Sequence, residues 1–214
     1  MSKHSEIEIA LVKTLSSTEV PDLIKEYAEI GIDAVISDGL LKDIPLVGTI
    51  VGIAKAGINI SDRIFIKKLL KFLCQLNKLS PQMRQNMVNK LESDEAYGRK
   101  VGEHVIEILD RIDSYRKPKM IALVFKAYTE GRIDAKKLHS LNHAVDRIPS
   151  NEISEVRKIH EMSDEERLNA NVDILQCLQN AGLVNVFSGF GSLVYEPNYL
   201  CNLFLDLNLD RTDA

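Results

Sequence analysis

Hydrophobic positions recur at helical spacing along most of the chain. Between residues 18 and 42, Leu23, Ile24, Tyr27, Ile30, Ala34 and Val35 fall three or four apart, with Gly31 and Gly39 as weak points. This predicts one broken helix or two short ones. Asp43 can cap the next segment, Ile44 to Ile60, whose sequence IPLVGTIVGIAKAGINI is the most apolar in the protein. Its Pro45 is tolerated in a first helical turn. From Ser61 to Asn77 the pattern is strongly amphipathic: Phe65, Leu69, Phe72 and Leu76 form one stripe, and Arg63, Lys67 and Lys71 form an opposing one.

Start and stop signals divide the rest. Ser80 and Pro81 open a helix, and Ser93 or Asp94 opens a longer one with Tyr97, Val101, Val105, Ile108 and Ile112 inward. Pro118 opens another, closed by Gly131; Asp134 caps a helix carrying Leu138, Leu141 and Val145, stopped by Pro149. A short helix over 150–161 comes next. Ser163 with Glu166 forms a capping box for a helix running to Gly182. After Gly182 the period changes: LVNVF, SGFGS and LVYEP read as a β-hairpin, and a last helix is predicted over roughly 197–209. The expected fold is therefore mainly α, a helical bundle with a small C-terminal β-hairpin. The expected divisions are N-terminal helices over 1–60, a central bundle over 61–162, and a helix, hairpin and helix unit over 163–214.

Composition supports helix over sheet, because Phe, Tyr and Trp make up only 6% of 214 residues and Trp is absent. The net charge of −4 conceals a division along the chain. Residues 1–60 hold 5 basic and 9 acidic side chains, 61–137 hold 17 and 10, and 138–214 hold 5 and 12. The basic excess is densest just after the apolar segment, where Arg63, Lys67, Lys68, Lys71, Lys78, Arg84 and Lys90 face only Asp62. Glu6 and Glu8 interrupt the stretch where a secretory signal would be apolar, so a cytoplasmic location is expected, with a peripheral place at the inner face of the membrane. Cys74, Cys177 and Cys201 are too widely spaced for a disulfide framework or a CxxC site.

Three constellations carry candidate chemistry. The first joins the apolar and cationic segments. Gly48 and Gly52 have GxxxG spacing and, with Ile53 and Ala56, make a candidate membrane-contact surface. Arg63, Lys67, Lys68, Lys71 and Lys78 are candidates for lipid or phosphate contact. Seventeen residues at about 1.5 Å each reach about 25 Å, short of a hydrocarbon core of about 30 Å. The competing reading is a helix buried in the bundle, its small residues allowing tight packing.

The second is the C-terminal run of Leu178, Gly182, Leu183 and Val184 with a hairpin through Tyr195, which resembles the wing of winged-helix regulators. Charge speaks against DNA there: from Ser163 onward only Arg167 and Arg211 are basic, against eight acids. The third is His139, His143 and Asp146 on one helix, a spacing metal ligands use, without the glutamate of HExxH. Glu103, Glu107 and Asp110 also share a face, with Lys100 and Arg111 placed to neutralise them. The SGFGS glycines precede a strand and form no phosphate cradle. No catalytic set assembles, and no cofactor motif is present.

The runs GLLKDIPLVGTIVGIAKAGINISDRIFIKKLLKFL and LESDEAYGRKVGEHVIEILDRIDSYRKPKMIALVFKAYTEG resemble a diffuse set of bacterial helical proteins without an assigned activity. That resemblance implies no catalytic residues. The expected function is a non-enzymatic helical interaction or effector protein that associates conditionally with anionic membrane through the apolar helix and its cationic neighbour. The alternative is a regulatory protein binding nucleic acid or a protein partner through the basic middle. A protein partner or self-association is expected, and nucleic acid is disfavoured. A third class, a hydrolase or metal enzyme built on His139, His143 and the Glu103 face, completes the set.

Overall fold

Local signals fix the helix boundaries seen in the computed structural model, which describes residues 3–17, 19–20, 22–24, 43–53, 60–93, 101–189 and 192–211. The predicted helical segment beyond Ile24, together with Ala56, Tyr97 and Lys100, lies outside the described residues. The helices are α1 (Lys3–Ser16), α2 (Pro45–Ile53), α3 (Ile60–Leu76), α4 (Pro81–Ser93), α5 (Val101–Arg111), α6 (Lys117–Thr129), α7 (Ala135–Arg147), α8 (Glu155–Glu161), α9 (Asp164–Leu168) and α10 (Val172–Asn180). Strands β1 (Val184–Gly189) and β2 (Ser192–Pro197), helix α11 (Tyr199–Asp206) and a 3-10 turn (Leu209–Arg211) complete the order. The fold is mainly helical with one small antiparallel hairpin.

The caps predicted at Ser80, Asp134 and Ser163 are present. Asp134 accepts the Lys137 N–H at 2.8 Å, and Ser163 and Glu166 make a reciprocal capping box. Gly131 and Gly182 leave α6 and α10 at φ 73° and 76°, the left-handed conformation a side chain would oppose. Two boundaries differ from expectation. The single helix expected from Ser163 to Gly182 is broken into α9 and α10 at residues 169–171, and Pro197 belongs to β2, so Asn198 caps α11 by accepting from the Leu200 and Cys201 N–H groups. The helix start expected at Ser93 or Asp94 adjoins residues 94–100, which lie outside the described ones.

The most buried helix is α6. Nine of its thirteen residues are buried, and it packs against α3, α4 and α7, with Phe125 meeting Phe72 edge to face at 6.1 Å. By contrast α2, from the most apolar segment, buries only part of its circumference: Leu46, Val47 and Ile50 face the core while α2 packs on α1. Thr14 links those two helices, its hydroxyl donating to the Ala10 carbonyl at 2.8 Å and accepting the Leu46 N–H at 3.0 Å. A donor of the first turn of α2 is thereby satisfied. Arg84 closes the far end of α1. Its guanidinium, 4% exposed, donates to the carbonyls of Leu15, Ser17 and Leu79 at 3.0, 3.1 and 2.9 Å. A cation at the carbonyl end of a helix also meets the favourable end of its dipole.

The C-terminal unit packs one face of its hairpin inward. Val184, Val186 and Tyr195 lie on that face by the pairings Val184 with Pro197 and Val186 with Tyr195, and α9 and α10 contact β2 and β1. Helix α11 returns onto α7 and α8. The 3-10 turn is clamped by Asp210, 7% exposed, whose carboxylate accepts two hydrogen bonds from Arg157 at 2.7 and 3.0 Å. The Asp210 carbonyl also accepts from Arg116, tying the chain end to the loop before α6.

Lys117 enters the core at the start of α6 with 1% of its side chain exposed; its ammonium meets the Asp113 carboxylate at 2.6 Å and the Asp146 carbonyl at 3.1 Å. Partial burial pushes the Asp113 carboxyl up. The hydrogen bond and charge of Lys117 and the Ser150 hydroxyl outweigh it, so the group is held below the usual carboxylate range. A carboxyl depressed in the folded state stabilises the fold above its unfolded pKa and loses that contribution as pH falls through the folded value. Asp113→Ala should therefore lower unfolding free energy in urea by less than about 1 kcal/mol at neutral pH, because the Asp113 side chain is 56% exposed and the Lys117 ammonium keeps the Asp146 carbonyl. The difference from wild type should shrink as pH falls through the folded Asp113 pKa, which lies below the usual carboxylate range. Lys117→Met, which removes the buried charge itself, should be neutral or stabilising by about 1 kcal/mol.

Candidate functional site

The basic excess of the central segment has two fates. Some cations are turned inward and serve the fold. Lys68 is buried and donates to the Asp110 carbonyl at 3.2 Å; burial lowers its pKa, against the raising effect of Asp110 and Asp113. Arg84 and Lys117 are also turned inward, and Lys90 donates to the Tyr128 carbonyl at 2.9 Å with its ammonium 4.2 Å from the Tyr128 ring centroid.

The outward group lies along α3 and the start of α6. Arg63 and Lys78 are exposed and Lys67 is half-buried. Lys71 is half-buried with its ammonium 5.4 Å from the ring centroid of Tyr115, which is 36% exposed in the loop before α6. Burial lowers the Lys71 pKa, and the neighbouring Lys119 of α6 lowers it further. At Cys74, burial raises the thiol pKa while Lys119 and Lys78 pull it down. Lys119 of α6 thus lies near both Lys71 and Cys74 of α3, and Lys78, in the turn after α3, lies near Cys74. Ammonium groups brought together repel one another, and an approaching polyanion relieves that repulsion. The sequence pattern identifies Lys71 and Lys78 but not Lys119 or Tyr115, which join the face only because α6 packs on α3.

The candidate membrane-contact residues sit on the outer side of α2. Gly48 is half-buried and Gly52 is exposed; with Pro45, Thr49 and Val51 they line an open depression of about 620 Å³. Among the described residues, a Cβ built on Gly52 would meet nothing within 4 Å. Ile53 ends α2, and Ala56 lies outside the described residues. Among the described residues, no helix is long and apolar enough to cross a membrane.

The metal candidates are dispersed. Asp146 pairs with Arg111 at 3.0 Å, His143 is exposed, and His139 approaches His104 of α5 with ring centroids 5.8 Å apart. Among the described residues no group of three or more His, Cys, Asp or Glu side chains could hold a metal ion. In the C-terminal unit, helix α10 exposes Val172, Asp173, Gln176, Gln179 and Asn180, and its sequence contains no Lys or Arg.

Thiol chemistry offers a direct probe of the cationic cluster. Site-resolved alkylation at pH 8 should find Cys74 slower than an unperturbed thiol, and slower still in Lys119→Ala, whose lost charge raises the thiol pKa further. Cys201, buried and with its thiol pushed up to about 12, should stay unmodified in the native protein. No protein-family model, curated protein or solved structure matches this chain.

Proposed function

We propose that this is a non-enzymatic helical interaction protein that docks on anionic membrane through the face formed by α3 and the start of α6. The observation that carries this reading is the packing of α6 on α3, which brings Lys119 to the side of α3 that carries Lys71, whose ammonium lies over the partly exposed Tyr115 ring. Cations near an anionic leaflet contribute about 1 kcal/mol each, and an interfacial tyrosine suits the headgroup layer. The outer side of α2, with half-buried Gly48 and Thr49 and exposed Gly52 lining an open depression, is a second contact that would lie at the interface.

Nucleic acid would use the same cations. The C-terminal unit gives that reading no help, because its exposed surface is acidic and α10 presents Asp173 where a DNA-reading helix would present a base.

Co-sedimentation with vesicles containing phosphatidylglycerol should show binding that weakens as salt rises and is absent on neutral vesicles. Lys71→Ala combined with Lys119→Ala should reduce partitioning about 30-fold, from two charges at about 1 kcal/mol each. Gly52→Glu, at an exposed position where a Cβ meets nothing within 4 Å among the described residues, should weaken binding, with thermal unfolding reporting that the fold is kept. No binding to anionic vesicles at low salt, with a salt-sensitive complex on duplex DNA, would replace the membrane by nucleic acid.

A further inference from the structure

We propose that this chain associates with further copies of itself head to tail, the acidic C-terminal unit of one copy docking on the cationic face of the next. Exposed apolar side chains mark both surfaces. Among the described residues eight large hydrophobic side chains are exposed, and five of them (Leu168, Val172, Phe187, Leu193 and Tyr199) lie in the C-terminal unit. Two others belong to the cationic face. Tyr115 lies against the Lys71 ammonium, and Ile64 shares one side of α3 with Lys67 and Lys71 by its spacing of three and seven residues. Exposed Arg63 adjoins Ile64.

The two surfaces are opposite in charge. Residues 138–214 carry seven more acids than bases, and residues 61–137 carry seven more bases than acids. In the C-terminal unit the imbalance reaches the surface: Arg167 is turned inward and bonded to the Met162 carbonyl and to Asp164, whereas Glu165, Asp173 and Glu196 are exposed. The hairpin puts apolar and acidic groups on one face. Alternation along the strands turns Val184, Val186 and Tyr195 inward, so Phe187 and its cross-strand partner Val194 face outward together with Glu196. A partner for that face needs an apolar centre within a positive rim. Ile64 and Tyr115 among Arg63, Lys67 and Lys71 have that make-up, so a second copy supplies the partner. Because the two patches differ, the contact is heterologous and repeats from copy to copy unless the rotation closes a ring. Pairing of like patches would set acid against acid or base against base.

The inference uses the cationic face without its membrane partner, and its test contains no lipid, so it stands or fails separately from membrane docking. Sedimentation velocity of the whole chain over a rising concentration series should show average mass growing beyond the monomer at low salt, and growing less at high salt. Glu196→Lys and Arg63→Glu, both at exposed positions, should each weaken association at least about 10-fold, with circular dichroism reporting their folding. Phe187→Ala should weaken it with net charge unchanged. Mixed in equal amounts, the two charge variants should form a dimer that neither forms alone, because the unaltered C-terminal unit of Arg63→Glu meets the unaltered cationic face of Glu196→Lys. Asp173→Lys with Lys71→Glu is the second pair, used if either first variant fails to fold. A monomer at every concentration in low salt would overturn the proposal. Association that survives Arg63→Glu would overturn it by moving the contact off the cationic face, and variants that stay apart when mixed would exclude the head-to-tail arrangement.

Discussion

A charged group sealed at the start of the central helix is the constraint on which the rest of the structure turns. The Lys117 ammonium has to be satisfied inside the core, and it is satisfied by Asp113 from the loop before α6 and by the backbone of Asp146 near the end of α7. Those two contacts fix where α6 begins and how α7 lies against it. Asp146 is held in turn by Arg111 at the end of α5, so three helices meet around one cation. Such an arrangement contributes less to stability than an apolar side chain of the same volume would, and specifying one arrangement of the three helices is the role it fits.

The same logic recurs along the basic segment. Arg84 commits its whole guanidinium to carbonyls at the junction of α1 with the α3–α4 turn, and Lys68 reaches a carbonyl at the end of α5. Once these inward cations are set aside, the positive charge left at the surface is smaller than the sequence excess and more localised. It concentrates around Cys74, where α3 and α6 run together. The proposed membrane docking rests on that sorting, with Lys71 and Lys119 on the outward side where α3 and α6 meet.

Much of the secondary structure was legible because it is locally encoded. Asp134, the Ser163–Glu166 box, Gly131 and Gly182 act on backbone groups within a few residues, so their effects can be read without knowing what packs where. Tertiary roles were not legible in that way. Mean hydropathy singles out residues 44–60, yet α2 leaves its glycine side open while α6, with three lysines, is the helix buried most completely. Hydropathy weighs side chains one at a time, and burial depends on how many neighbours surround a helix. Lys67 and Lys68 are adjacent in sequence and about 100° apart on α3, so one stays half-buried at the surface while the other enters the core. Lys119 and Tyr115 could be assigned to the cationic face only once α6 was known to pack on α3, and His104 could be assigned to His139 only across the α5–α7 contact.

The division of cations into inward and outward sets underlies both the fold and the proposed docking face, and amine labelling reads it residue by residue. Brief treatment with an acylating reagent, with and without anionic vesicles, should modify Lys71, Lys78 and Lys119 in the unbound protein and protect those three on vesicles. Exposed Lys136 and Lys158, on α7 and α8, should be modified equally in both conditions, and Lys68 and Lys117 should stay unmodified throughout. Ready labelling of Lys68 or Lys117 in the native protein would contradict the sorting itself, and vesicle protection spread evenly over all surface lysines would contradict the assignment of the face.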